Sequence, residues 1–132
     1  MVIDASAAIE WLLQTPKGAE IEARIFREPG ESPRLYAPHL LDVEVVQVLR
    51  RHVAKGLVSE ARGQTALDDF LQMPLLRYPH DVLLPRVWEL RQNLTAYDAV
   101  YVALAEALDM PLVTCDAHIA GTPGHRARVD VI

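Results

Sequence analysis

The most informative stretch of the sequence is residues 94–108, LTAYDAVYVALAEAL, in which a carboxylate stands on an apolar helix face. Thr95 and Asp98 have the spacing of a capping box, which predicts a helix that begins at Thr95 and in which Asp98 accepts backbone N–H bonds. Leu94 and Tyr101 lie one turn either side of Asp98 on that face. An ionised carboxylate among apolar side chains needs a partner, because desolvating an unpaired charge is costly. A divalent metal ion can be that partner.

Three further acids stand in comparable places along the chain. Asp4 ends the first apolar run, Glu44 lies in the first turns of an apolar helix pattern, and Asp116 follows a later apolar run. Together with Asp98 they supply only oxygen ligands, which favour Mg²⁺ or Mn²⁺. The five histidines show none of the short spacings of a zinc site, so surface or core positions are expected for them. The sequence therefore predicts a divalent-metal site built from four carboxylates.

Each of these acids also has a purely structural interpretation. Asp4 can cap the helix after it, Asp98 can be a capping-box acid only, and Asp116 can be a turn residue. Glu44 and Asp42 both lie on a helix that is apolar almost all round, so either can form the rim of a partner interface. A structural interpretation of the whole set needs four separate coincidences, which favours the metal site.

The hydrophobic pattern alternates short strands with helices along the whole chain. It predicts strands at residues 1–4, 35–37, 75–78, 111–114 and 129–132. It predicts helices at residues 6–13, 16–28, 39–55, 59–72 and 81–93 and from Thr95 onward, with Gly56 as the left-handed residue after the third helix. This order predicts an α/β fold with a parallel sheet covered on both faces.

The predicted fold determines where the acids meet. In open α/β sheets, ligands bind beyond the carboxyl ends of the strands, where the strand order reverses. Asp4 and Asp116 follow strands, while Glu44 and Asp98 lie near the starts of helices. All four can therefore converge at one edge of the sheet.

Composition limits the remaining possibilities. The chain of 132 residues suits a single domain, and its net charge of −5 means that nucleic acid must meet a local basic strip or a metal. No apolar run is long enough for a membrane span, and the first residues lack the basic region of a signal peptide. The single cysteine, Cys115, excludes an internal disulfide and fits a reducing compartment, so a cytoplasmic location is expected.

Four segments, residues 1–6, 38–51, 94–108 and 112–116, carry a family resemblance, and TAYDAVYVALAE is the most specific part of it. Together they resemble the PIN-domain family, and more narrowly the VapC toxins of VapBC toxin–antitoxin pairs. The resemblance implies an α/β/α sandwich with a central, mostly parallel five-stranded sheet. It also implies a Mg²⁺- or Mn²⁺-dependent ribonuclease activity.

The same resemblance implies roles for six side chains. The metal-binding and catalytic carboxylates are Asp4, Glu44, Asp98 and Asp116, and the hydroxyls that support the metal-bound waters are Ser6 and Thr114. Some relatives carry a further acid shortly after the last of these carboxylates. Here Ala117, His118 and Ile119 follow, so the number of metal ions, one or two, stays open.

RNA must reach an acidic site through basic side chains. The candidates are Arg50, Arg51, His52 and Lys55 on the third helix, Arg86 and Arg91 on the fifth, and His118, His125, Arg126 and Arg128 near residue 132. Cations at a helix end also fit simple pairing with the helix dipole. Single-stranded or looped RNA is the expected substrate, because its bases are accessible to side chains.

The first two helices carry more apolar residues than one small core requires, and a partner surface is therefore expected. These residues are Trp11, Leu12, Leu13, Ile21, Ile25 and Phe26. The resemblance supplies two partners for such a surface, a second copy of the chain in a homodimer and a cognate antitoxin.

Two other functions compete with the nuclease. A non-catalytic PIN-like module would keep the acids and bind RNA or protein without a metal. A receiver-type signalling domain also places acids after the first strand of a doubly wound sheet. It needs a lysine late in the chain, however, and the only lysines are Lys17 and Lys55.

Overall fold

The computed structural model describes residues 1–26 and 34–132, which form one parallel sheet flanked by helices. The strands are β1 (Val2–Ile3), β2 (Leu35–Pro38), β3 (Leu75–Tyr78), β4 (Leu112–Thr114) and β5 (Val129–Val131). The helices are α1 (Ala5–Leu12), α2 (Pro16–Ile25), α3 (Leu40–Ala54), α4 (Glu60–Gln72), α5 (Leu84–Glu89), α6 (Ala96–Leu108) and α7 (Ala117–Gly121). The predicted α/β/α fold is confirmed.

The first strand of the chain lies in the middle of the sheet. The strand order is β3-β2-β1-β4-β5, and every neighbouring pair is parallel. Val2 is in register with Tyr36 of β2 on one side and with Leu112 of β4 on the other. The order of the strands reverses between β1 and β4, which is where open α/β sheets bind ligands.

The central strands and α6 form most of the core. β1, β2 and β4 are buried along their whole lengths, as expected for parallel strands covered on both faces. Residues 99–105 of α6 are buried without interruption, so this helix is enclosed on nearly all sides. The first turn of α6, which carries Asp98, is therefore held in one place by the core.

Local chemistry sets the ends of the helices. The side chains of Thr15, Ser59 and Thr95 accept free N–H groups at the starts of α2, α4 and α6. Gly56 follows α3 with a φ of +69°, as predicted, and Asp109 ends α6 with a φ of +49°.

Three helices differ from the sequence predictions. The helix predicted at residues 81–93 forms only as α5, with turns before and after it. Pro85 has no N–H to donate and is tolerated only in the first turn, which sets the start of α5. The pattern does not predict α7, because five residues are too few to show a period. The helix predicted to run to about residue 28 ends at Ile25 as α2, with Phe26 as its C-cap, and residues 27 and 28 lie outside the described residues.

Candidate active site

Asp4 occupies the switch point of the sheet with its side chain buried, at 6% exposure. Its Oδ1 accepts the Ser6 hydroxyl at 2.7 Å and the Ala7 amide at 2.9 Å, so that it caps α1. Its Oδ2 accepts the hydroxyl of Thr114 at the end of β4. Asp4 is therefore both a helix cap and a residue of the sheet edge, because its two oxygens serve different elements.

Two hydroxyls join the ends of β1 and β4 around that carboxylate. Ser6 Oγ lies 3.3 Å from Thr114 Oγ1 and accepts the Cys115 N–H at 2.8 Å. Thr114 Oγ1 accepts the Asp116 N–H at 2.9 Å. Ser6 and Thr114 hence fix the backbone that carries Asp116 relative to Asp4.

The two acids at the start of α3 have different surroundings. Glu44 is half-buried, and its Oε2 accepts the hydroxyl of Tyr101 on α6 at 2.5 Å. Asp42 instead forms an ion pair with Arg77 of β3, with 2.7 Å between Nε and Oδ1. Of these two acids, only Glu44 therefore belongs to the acidic edge of the sheet, which consists of Asp4, Glu44, Asp98 and Asp116. The role of Tyr101 is not among the sequence predictions, and its position one turn after Asp98 is the signal that was available.

Asp98 and Asp116 are more exposed than Asp4 and lie at the starts of helices. Thr95 caps α6 as predicted, accepting the Asp98 N–H at 3.2 Å. The Asp98 carboxylate differs from the prediction, since it accepts the Thr95 hydroxyl at 2.7 Å rather than backbone N–H bonds. Asp116 caps α7 by accepting the N–H of His118 at 2.9 Å.

Negative charge accumulates at this edge of the sheet. Burial raises the pKa of Asp4, its three hydrogen bonds oppose the rise, and the charge of Asp116 adds to it. Burial also raises the pKa of Glu44, the Tyr101 hydroxyl opposes the rise, and the charges of Asp4 and Asp98 add to it. The pKa of Tyr101 is raised as well, first by burial and then by Glu44, so its hydroxyl stays protonated. The four acids thus act on one another, and a bound cation would reverse their mutual repulsion.

The donor set fits a hard divalent cation better than a soft one. Carboxylates and hydroxyls offer oxygen ligands only, as Mg²⁺ and Mn²⁺ prefer. Burial raises the pKa of the Cys115 thiol, which disfavours the thiolate that a soft metal needs. Within residues 1–26 and 34–132, no three His, Cys, Asp or Glu side chains are grouped as ligands of one ion. Each acid accepts hydrogen bonds from hydroxyls or amides, and a carboxylate that does so keeps lone pairs that can bind a cation.

The basic side chains predicted to contact RNA differ in how many hydrogen bonds and ion pairs they already form within the protein. Arg86 donates to both carboxylate oxygens of Glu106, to Glu89 and to a loop carbonyl. Its guanidinium donors are therefore already used within the protein, which disfavours an RNA contact. Arg50 and Arg51 are exposed on α3.

The other basic candidates are also unequal. Arg91 is exposed, and its guanidinium lies 4.6 Å from the ring centroid of Trp88. A ring nitrogen of His125 lies 2.9 Å from the Ile119 carbonyl, and Arg128 donates to a backbone carbonyl at the end of α6. In the cluster near residue 132, His125 and Arg128 thus have structural contacts, whereas His118 and Arg126 are exposed.

Most of the apolar excess on the first two helices belongs to the core. Leu12, Ile21 and Ile25 are buried. Trp11 and Phe26 meet edge to face with 6.0 Å between ring centroids, and Phe26 remains exposed. These two rings line a groove of about 450 Å³ between α1, α2 and the end of α4. The predicted partner surface is therefore smaller than the sequence suggests.

Comparison with known proteins identifies the class that this fold and acidic edge define. The PIN domain family profile matches residues 1–124, and the chain belongs to this family. The chain is also 39% identical over 132 residues to Ribonuclease VapC12 and Ribonuclease VapC9 of Mycobacterium tuberculosis, covering 100% of this chain and 98% of each relative. Ribonuclease VapC1 of the same organism is 39% identical, with 99% of this chain and 96% of that protein covered. Within the family, the chain therefore groups with the VapC proteins.

Solved structures support the same fold. PAE2754 from Pyrobaculum aerophilum superposes with a TM-score of 0.66 and 28% identity, covering 98% of this chain and 82% of that one. Mycobacterium tuberculosis VapC20, a sarcin-ricin loop cleaving toxin, superposes with a TM-score of 0.64 over 92% of this chain and 95% of that one. Its identity is only 14%, so this second likeness concerns the fold alone. None of the helices in the described residues is long and apolar enough to cross a membrane.

Proposed function

We propose that this chain is a Mg²⁺- or Mn²⁺-dependent endoribonuclease and the toxin of a type II toxin–antitoxin pair. The observation that carries the proposal is the buried carboxylate of Asp4 at the strand switch, with the charges of Glu44, Asp98 and Asp116 acting around it. Such a concentration of acids, in which the pKa values of Asp4 and Glu44 are raised, is typical of a functional site and is unfavourable without a cation. Full-length similarity to VapC ribonucleases supports the same activity.

The four carboxylates, Asp4, Glu44, Asp98 and Asp116, would hold the cation. A cation held there would supply Lewis-acid chemistry, polarising a phosphate group and making a water molecule more acidic. Asp4 contributes from the buried side, where two side-chain hydroxyls and a backbone amide fix its orientation. Asp98 and Asp116 are the more exposed pair, and one of them would take the proton of the water.

Side chains behind the carboxylates keep them ready for this role. Ser6 and Thr114 hold Asp4, and Tyr101 holds Glu44. Such supporting hydrogen bonds orient ligands and keep them ionised, because each one opposes the rise in pKa that burial causes.

The proposal includes partners. A cognate antitoxin would inhibit the nuclease by placing a basic side chain among the acids, where it competes with the metal; a complex with full nuclease activity would contradict this. Exposed apolar side chains on the outer face of α3, Val43 and Val46, support a homodimer. RNA, antitoxin and toxin would meet in the cytoplasm.

The test compares wild type with Asp98→Asn on a total RNA pool, with Mg²⁺ or Mn²⁺ and with a chelator. Discrete cuts that disappear with the chelator and with the substitution are expected. Asp109→Asn is the matched control, because Asp109 lies at the other end of α6 and is fully exposed. Folded wild type that neither cuts RNA nor binds Mn²⁺ would instead favour the non-catalytic binding module.

A further inference from the structure

An exposed tryptophan lies on α5, the helix that precedes the Asp98 helix along the chain, and has no role in the core. Trp88 on α5 is 68% exposed, although a tryptophan ring is among the most favourable groups to bury. Tyr97, which directly precedes Asp98 in the first turn of α6, is 64% exposed. Two large aromatic faces are therefore open to solvent on either side of the α5–α6 connection.

Arg91 packs against the exposed ring of Trp88. Its guanidinium lies 4.6 Å from the Trp88 ring centroid, and its Nη1 donates to the Trp88 carbonyl at 2.7 Å. Within the described residues, Arg91 forms no salt bridge with any acid. The nearby acid Glu89 is neutralised by Arg86. Arg91 therefore presents an uncompensated positive charge next to an open aromatic ring.

The connection that carries this pair is rigid and short. The amides of Asn93 and Leu94 both donate to the Leu90 carbonyl at 3.0 Å, and Asn93 Nδ2 donates to a loop carbonyl at 3.1 Å. Thr95 then starts α6, so Arg91 and Asp98 are separated by one closed turn and the first turn of a helix. Trp88 and Asp98 thus lie ten positions apart along the chain, on two helices that pack against each other.

We propose that Trp88, Arg91 and Tyr97 form a stacking surface that binds bases of single-stranded RNA next to the cleavage site; this rests on the proposed nuclease function. Every base has an apolar face that stacks on an aromatic ring or a guanidinium plane, so such a surface binds single strands. The charge of Arg91 supplies the attraction to phosphate that an acidic chain otherwise lacks. RNA is favoured over a protein partner because the surface combines exposed rings with an arginine that pairs with no acid in the part of the chain that the structure describes.

Fluorescence of Trp88 tests the proposal directly. Trp11→Phe leaves Trp88 as the only tryptophan, because the chain has two. Asp98→Asn in the same protein prevents cleavage while a short single-stranded RNA is titrated in the presence of Mg²⁺. Saturable quenching of Trp88 is expected. From the usual energy of one stacked base, Trp88→Ala should weaken RNA binding by roughly 5- to 100-fold, as measured by anisotropy of labelled RNA.

Two further variants decide what kind of surface it is. Trp88→Leu keeps apolar area but no ring, so it should lose RNA affinity as Trp88→Ala does. Leu71→Ala, at an exposed apolar residue of α4, is the matched control and should bind RNA like the parent. Each variant is also examined for oligomeric state by sedimentation.

Three results would overturn the proposal or its basis, and they are distinguishable. Wild type that cleaves RNA, together with a Trp88 that is not quenched, refutes the stacking surface and leaves the nuclease in place. Loss of RNA binding only together with dissociation of a dimer, with Trp88→Leu retaining both, assigns this surface to a second copy of the chain. Wild type that neither cleaves nor binds RNA refutes the proposed function itself.

Discussion

Replacing Thr114 by valine removes one hydroxyl from the centre of the site while keeping the shape of the side chain. That hydroxyl donates to Asp4 Oδ2 and accepts the Asp116 N–H at 2.9 Å, and Thr114 is fully buried. A hydrogen bond to a charged group is worth about 1.5–3 kcal/mol, so Thr114→Val should lower the free energy of unfolding by about 2 kcal/mol. For a chain of this size, that corresponds to a fall in Tm of about 6–8 °C.

The same substitution should weaken metal binding. The Thr114 hydroxyl opposes the rise in the pKa of Asp4 that burial causes, so removing it raises that pKa further. A proton then competes with the metal up to a higher pH, and the acid limb of the pH–activity profile should move to higher pH. Metal affinity should fall by about 10- to 100-fold, as it does for other lost supporting contacts.

The assay is a Mn²⁺ titration by calorimetry at several pH values, with cleavage measured in parallel. Thr114→Ser is the control, since it keeps the hydroxyl and removes only a methyl group, and it should retain the wild-type pH profile. A folded Thr114→Val protein with wild-type metal affinity and an unmoved acid limb would refute the role assigned to this hydroxyl.

Three further predictions concern charge and packing. Because the pKa of Asp4 is raised in the folded state, its contribution to stability is present below the ordinary value of 3.8 and is lost as pH rises through the folded pKa. Asp4→Asn should therefore raise the Tm of the metal-free protein near pH 7.5 and abolish the increase in Tm that Mg²⁺ causes. An increase in Tm with Mg²⁺ that survives the substitution, measured by calorimetry, would contradict this. Gly18→Ala should lower the free energy of unfolding in urea by about 3 kcal/mol, because the added Cβ would lie 2.2 Å from a backbone carbonyl oxygen of α1. Gly63→Ala is the control, since its Cβ meets only a side-chain methyl at 2.9 Å, and it should cost less than about 1 kcal/mol. Equal losses of stability would show that α1 and α2 can separate. Arg86→Ala leaves Glu106, whose side chain is 6% exposed, without its ion pair and should cost about 3 kcal/mol at pH 7. Because Arg86 lowers the pKa of Glu106, this stability is present above the ordinary value of 4.5 and is lost as pH falls, so the deficit should shrink in acid; a deficit that is constant with pH would refute the assignment.

The sequence was sufficient for the sheet because its strands are short apolar runs bounded by turn residues. Leu35 to Pro38 and Leu112 to Thr114 are buried on both faces and read as continuous apolar segments. It was insufficient for α7, whose five residues show no period, although an Asp after a strand is a recognised helix cap. The structural alternative for Asp116 was a turn residue, whereas it caps α7, and capping is compatible with a place at the sheet edge.

The hydrogen-bond and ion-pair partners of the charged side chains were harder to predict than the helices on which these side chains lie. The sequence places Asp42 and Glu44 on the same apolar helix, and only tertiary contacts separate them, because Arg77 comes from a distant strand and Tyr101 from α6. The structural contacts of Arg86 were unpredicted for the same reason, since its acid partner on α6 lies 20 positions away in sequence. Pairing of charges across elements has no local period, which is why spacing alone does not reveal it.

The central place of β1 has a consequence for the timing of synthesis. β1 completes its pairing only when β4 exists, and the hydrogen bond between Thr114 and Asp4 joins residues 110 positions apart. Contacts of such long range form late in folding, and a ribosome adds about 5–20 residues per second. Several seconds therefore pass between the synthesis of the first acid and the last. During that interval a growing chain has no assembled nuclease site, and an inhibitor already present can meet the chain before it becomes harmful.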